Sequence, residues 1–186
     1  RQEYDELVLK PMEELLEELA PVYGVGKVFR PYRDTRFSAD KTPYKTNIAG
    51  TLSAGGYVSF SADGLGVGSG YYMLANDQLE RYRAAVDAER TGTELAAVTA
   101  AIRAAGMEVT AHDTLKTAPR GYAKDHPRVD LLRMKGAIAW RHWPPAGWLR
   151  TAKAKDRVVE VLEAAEPLNA WFDRHVGASA EPSYRR

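Results

Sequence analysis

Residues 47–71 read Asn47-Ile48-Ala49-Gly50-Thr51-Leu52-Ser53-Ala54-Gly55-Gly56-Tyr57-Val58-Ser59-Phe60-Ser61-Ala62-Asp63-Gly64-Leu65-Gly66-Val67-Gly68-Ser69-Gly70-Tyr71. Short runs with strand character are separated by two turn signals. Ser53-Ala54-Gly55-Gly56 is the first. Asp63-Gly64 is the stronger, because glycine accepts the positive φ that a tight hairpin turn demands. Strands joined by turns this short run antiparallel. The stretch therefore predicts a meander with strands at 47–52, 57–61 and 65–73. Gly64, Gly66, Gly68 and Gly70 alternate, so on a strand they share one face and leave it bare of side chains. Close packing is preferred there over approach by a ligand. The spacing is not a dinucleotide fingerprint: after Gly66-Val67-Gly68 the required glycine falls at Tyr71.

Helical patterns flank the meander on both sides. Leu7, Val8, Met12, Leu15, Leu16 and Leu19 recur at helical spacing, with Glu13, Glu14, Glu17 and Glu18 off the stripe. Pro11 should kink or restart this helix, and Pro21 and Gly24 should end it. Asn76 or Asp77 can cap a helix carrying Leu79, Tyr82 and Val86. Thr91-Gly92-Thr93-Glu94 fits a capping box opening another. Short strands are expected at 27–32, 107–110 and 136–143, a short helix near 129–134, and a last helix from about Asp156. The fold class is α+β: a mostly antiparallel sheet of about five or six strands with helices packed on one face. The chain of 186 residues fits a single domain over 1–176, with 177–186 as a flexible tail.

Composition removes several function classes. The chain carries 26 basic and 25 acidic residues, a net charge of +1, which argues against nucleic acid as a partner. It has no cysteine, which excludes disulfides, thiol nucleophiles and zinc ribbons and suits a cytoplasmic location. No apolar run approaches the roughly 20 residues of a membrane span, so no membrane partner is expected. His112, His126, His142 and His175 lack metal-ligand spacing. No metal and no cofactor is implied, and the oligomeric state is not encoded in any recognisable pattern.

Chemistry concentrates in two motifs. The first runs Phe29-Arg30-Pro31-Tyr32-Arg33-Asp34-Thr35-Arg36-Phe37-Ser38-Ala39-Asp40-Lys41-Thr42-Pro43-Tyr44-Lys45-Thr46. Guanidinium forks bind carboxylates or phosphates through paired donors. Arg30, Arg33, Arg36, Lys41, Tyr44 and Lys45 are therefore candidate ligand-binding residues, with Asp34 and Asp40 orienting them. The second runs Leu115-Lys116-Thr117-Ala118-Pro119-Arg120-Gly121-Tyr122-Ala123-Lys124-Asp125-His126-Pro127, leading into Arg128 to Arg133. It adds Arg120, Tyr122 and Arg133 to the binding set and Asp125 and Asp130 to the orienting set. His126 is the candidate proton-transfer group, because imidazole titrates near neutral pH; its competing reading is a loop histidine hydrogen-bonded to backbone.

Together with Gly64 to Tyr72, these two motifs resemble the domain of unknown function 2461 family, over about Tyr4 to Trp171. The resemblance implies a compact bacterial or fungal α+β domain and no stated activity. It also implies an upstream helical segment rich in Phe, Asn and Trp that this sequence does not contain. The leading expectation is a domain that binds, or acts on, a small phosphate- or carboxylate-bearing ligand through an Arg/Lys/Tyr-rich pocket. The alternative is a non-catalytic module for a protein or nucleic-acid partner, in which the charged motifs form a structural ion-pair network. Trp140, Trp143 and Trp148 are then the candidate partner face.

Overall fold

The structure is a computed structural model, and it describes residues 4–32 and 45–181. Its strands are β1 (Gly26–Val28), β2 (Asn47–Leu52), β3 (Gly56–Ser61), β4 (Gly64–Tyr71), β5 (Glu108–Thr110) and β6 (Ala137–Trp143). They form one six-stranded antiparallel sheet in the order β1-β2-β3-β4-β6-β5. The helices are α1 (Lys10–Tyr23), α2 (Asn76–Asp87), α3 (Glu89–Ala104), α4 (Val129–Arg133) and α5 (Lys153–His175). The fold is α+β, and the meander lies where the turn signals put it: Asn47 pairs with Ser61 and Leu52 with Gly56. The chain divides into two compact units, Arg1–Gly68 with His142–Glu160, and Ser69–Arg141 with Val161–Arg186.

In the first unit, a π-helical turn at Asp5–Leu9 runs into α1, and Pro11, the second residue of the α-helix, lies where one gives way to the other. The helix passes through Pro21 and stops at Gly24, whose φ of 80° lies in the left-handed region. Met12, Leu16 and Leu19 are buried. Leu16 packs so close to the sheet that a Cβ on Gly26 would meet its Cβ at 2.5 Å, and one on Gly50 its Cδ1 at 2.7 Å. Bare backbone at those two sites is what lets the helix seat. Gly64 opens β4 at φ 119°, and a side chain there would strike the Trp143 carbonyl.

The second unit is built on aromatic packing. Trp171 and Phe172 of α5 are fully buried with Tyr82 of α2. The Tyr82 and Phe172 rings stack at 5.4 Å, and Trp171 meets Tyr82 edge-on at 6.1 Å. Each buried polar tip has a partner: Tyr82 Oη donates to the Leu131 carbonyl at 2.8 Å, and Trp171 Nε1 to that of Thr91 at 2.9 Å. Burial raises the Tyr82 hydroxyl's pKa. A Cβ on Gly70 would lie 2.3 Å from the Ala137 carbonyl. At this position the bare face serves close backbone approach.

Two local expectations resolve differently. Thr91 does not cap α3. The chain already breaks at Ala88, in extended conformation, and the Gly92 N–H reaches the Ala88 carbonyl. Thr91 lies inside the first turn and its hydroxyl donates to the Ala85 carbonyl at 2.5 Å. Of the stretch 177–186 expected to be a tail, residues 177–180 are hydrogen-bonded to α2. Arg81 donates to the Val176 and Ala178 carbonyls, Gln78 to Gly177, and Asp77 accepts from Ser179 Oγ and the Ala180 N–H. Those bonds to Asp77 hold its carboxyl down at about 2. Among the described residues no helix is long and apolar enough to cross a membrane.

Candidate functional site

A backbone clasp holds the two described ends of the first motif. The Phe29 N–H donates to the Ala49 carbonyl on β2, and the Lys45 N–H to the Pro31 carbonyl, both at 2.8 Å. The Phe29 ring lies against Tyr57 at 6.3 Å, and the Lys45 ammonium stands 5.6 Å above the same ring. Arg30 is exposed. Arg33, Asp34, Arg36, Asp40, Lys41 and Tyr44 lie outside the described residues.

Pro31 and Lys45 also line a groove of about 900 Å³ that belongs wholly to the first unit. That volume suits a small-molecule site. Its apolar lining comes from Leu7, Val8, Met12, Ile48 and Phe60. Its charged lining comes from Lys45, Arg150, Lys155, Glu14 and Glu18. The acids are paired: Glu18 with Lys155 at 2.8 Å, and Glu14 with Lys10 at 4.0 Å. Lys45 and Arg150 are exposed and have no carboxylate partner among the described residues. Sequence reasoning singled out Lys45 and missed Arg150. No local signal marks Arg150, because the groove joins segments near positions 7, 45, 60 and 150 that only the fold brings together.

The second motif lies in the other unit, and four of its polar side chains, His126, Arg128, Asp130 and Arg133, bind groups of their own protein. His126 Nδ1 accepts the Arg128 N–H at 3.0 Å, so the ring proton sits on Nε2, which faces Asp87 Oδ1 at 3.2 Å. Both ring nitrogens are thus occupied. Arg128, with a side chain only 10% exposed, donates to the Val86 carbonyl at 2.8 Å, the Asp87 carbonyl at 2.9 Å and Glu89 Oε2 at 3.2 Å. It satisfies the last carbonyls of α2 with a positive charge at the negative end of the helix. Gly92 makes room for it: a Cβ there would stand 2.4 Å from Arg128 Nε and 2.0 Å from the Val86 carbonyl.

Arg133 Nε donates to the Leu115 carbonyl at 2.6 Å and its Nη1 reaches Asp130 at 3.4 Å, tying the start of the motif to α4. Lys135 bridges Asp113 and lowers that carboxyl's pKa. Tyr122 is half-buried; burial raises its pKa, and the Asp87 charge adds to the rise. Arg83 opposes that rise, and its Nε is buried with no hydrogen-bond partner among the described residues. Arg120 and Asp125 are exposed. Sequence reasoning did not select Arg128 or Asp87, although Arg128 directly follows the Asp125-His126-Pro127 run. Trp143 and Trp148 of the first unit pack edge-on at 5.9 Å, with Arg157 over Trp148 at 6.0 Å. Among the described residues no three acidic or histidine side chains converge as a metal site.

A family model described as a conserved hypothetical protein, DUF2461, matches residues 1–171. The chain belongs to that family. No curated protein and no solved structure matches it.

Proposed function

We propose that this domain binds a small anionic ligand, carboxylate- or phosphate-bearing, in the groove of the first unit. The observation that supports this is the pair of cations Lys45 and Arg150, which have no carboxylate partner among the described residues, on a groove whose lining acids each have a lysine partner. An arginine fork and an ammonium together suit an oxyanion better than either alone. The clasp at Pro31 and Lys45 roots the arginine-rich first motif on the same wall. In this reading Arg33 and Arg36 supply further fork donors. The hydrogen bonds of Arg128, Arg133 and His126 support a scaffolding role for the second motif.

Thermal shifts against a library of phosphates, nucleotides, sugar phosphates and carboxylates test the proposal. A ligand at about 100 times its Kd stabilises the fold by about 2.7 kcal/mol. The shift should vanish in the Lys45→Ala/Arg150→Ala double variant and shrink in Arg33→Ala. A shift that persists in the folded double variant sinks the assignment.

A further inference from the structure

The groove is only partly polar, and its apolar part is unusually exposed. Leu7 is 71% exposed and Val8 36%, although both lie on the helical stripe that should face a core. Both line the groove, with Phe60 and the buried Met12 and Ile48 beside them. Leucine left this open to water keeps a favourable burial term unrealised. A purely polar anion such as inorganic phosphate would satisfy Lys45 and Arg150 and leave that surface wet. A ligand carrying both an anionic head and an aliphatic body would match both halves.

We infer that the groove takes an amphipathic anion: a carboxylate head held by Lys45 and Arg150, with a flexible aliphatic chain laid along Leu7, Val8 and Phe60. This rests on the anion-binding reading and narrows it. The charge pattern sets the head group. With Glu14 and Glu18 paired to lysines, the cations left on the groove among the described residues are Lys45 and Arg150, so a carboxylate gains partners there and an ammonium meets like charge. The apolar lining sets the tail. The volume of about 900 Å³ leaves room for a chain well beyond two carbons.

The test is a calorimetric titration of the full chain with acetate, butanoate, hexanoate, octanoate and decanoate below their micellar concentrations, beside inorganic phosphate, octanol and octylammonium. Each added methylene should tighten binding about four-fold until the groove is filled. Lys45→Ala/Arg150→Ala should weaken every carboxylate by about ten-fold and leave the chain-length slope intact. Leu7→Ser, at a site too exposed to threaten folding, should flatten the slope and leave acetate binding unchanged. If phosphate and acetate bind and chain length has no effect, the amphipathic ligand is wrong and the anion site stands. If octanoate, octanol and octylammonium bind alike, the cations select nothing and both readings fail. If no anion of any length binds, both fail again.

Discussion

The second motif and the groove contain the same kinds of residue and use them in opposite ways. In the second unit, the Arg128 guanidinium is directed at helix-end carbonyls and Glu89, Arg133 at Leu115 and Asp130, and both His126 nitrogens at protein groups. In the first unit, Lys45 and Arg150 stand on a concave surface with no carboxylate partner among the described residues. A basic, aromatic-rich stretch is therefore not evidence of a ligand site until its donors are traced. Donors already facing orphan carbonyls stabilise the fold. Donors left facing a cavity are available to something else.

The largest effect that would break this contrast concerns Arg128. Its replacement by alanine removes the donors of two helix-end carbonyls and the partner of Glu89. The loss should be about 3 kcal/mol, since hydrogen bonds to a charged donor are worth more than neutral ones. Arg128→Lys should restore little of it, because an ammonium cannot reproduce the fork. Urea unfolding measures both. A change within about 0.5 kcal/mol for Arg128→Ala would place this arginine among surface residues, contrary to its role here.

The reverse should hold in the groove. Lys45→Ala and Arg150→Ala each remove an exposed cation with no carboxylate partner among the described residues, so stability should change by no more than about 0.5 kcal/mol. Anion binding should fall together with the charges. A large loss of stability in either variant would move that residue to the scaffold and close the gap between the two regions.

How much of this was legible beforehand depends on the range of the physics. The meander was legible because Asp63-Gly64 and Gly55-Gly56 specify turns within a few residues. A change of helix near Pro11 was legible from the proline itself, and the π-helical turn does give way to α1 at Lys10. The pinning of residues 177–180 was not, because Asp77 and Arg81 show nothing locally of partners about a hundred positions away. The mistaken cap at Thr91 has the same origin: its four-residue pattern is correct in isolation, but the helix break falls at Ala88. The groove was invisible for a different reason. Leu7 and Val8 obey the helical period, and periodicity reports which residues share a face without saying what covers that face.

The clasp on α2 provides a smaller, pH-dependent test. The Asp77 carboxyl is held at about 2 by the Ser179 hydroxyl first and the Ala180 amide next. A carboxyl depressed in the folded state stabilises it above the ordinary value near 4, and that contribution is lost as pH falls towards 2. The protection factor of the Ala180 amide, its exchange rate taken relative to the intrinsic rate at the same pH, should therefore fall on acidification through that window. Asp77→Ala should show the lower protection already at neutral pH and nick more readily in the segment 177–181. Unchanged protection in Asp77→Ala would mean that Arg81 and Gln78 suffice.

The smallest expected effect separates burial from pairing within the second unit. Tyr71 stacks on Phe172 at 4.7 Å and donates its hydroxyl to Asp173. Its pKa is pushed up to about 12, first by burial and then by the Asp173 bond and charge. A tyrosine raised in the folded state contributes stability that is complete below about pH 10 and lost as pH rises through its folded value. Ultraviolet titration of the wild type against Tyr71→Phe isolates this transition. In Asp173→Asn the carboxylate charge is gone while the ring stays packed, so the transition should move down and still remain above the ordinary tyrosine range. A full return to that range would make the carboxylate the dominant cause. The tie between β4 and α5 would then be electrostatic, weakened by salt, and not a consequence of how Phe172 covers the ring.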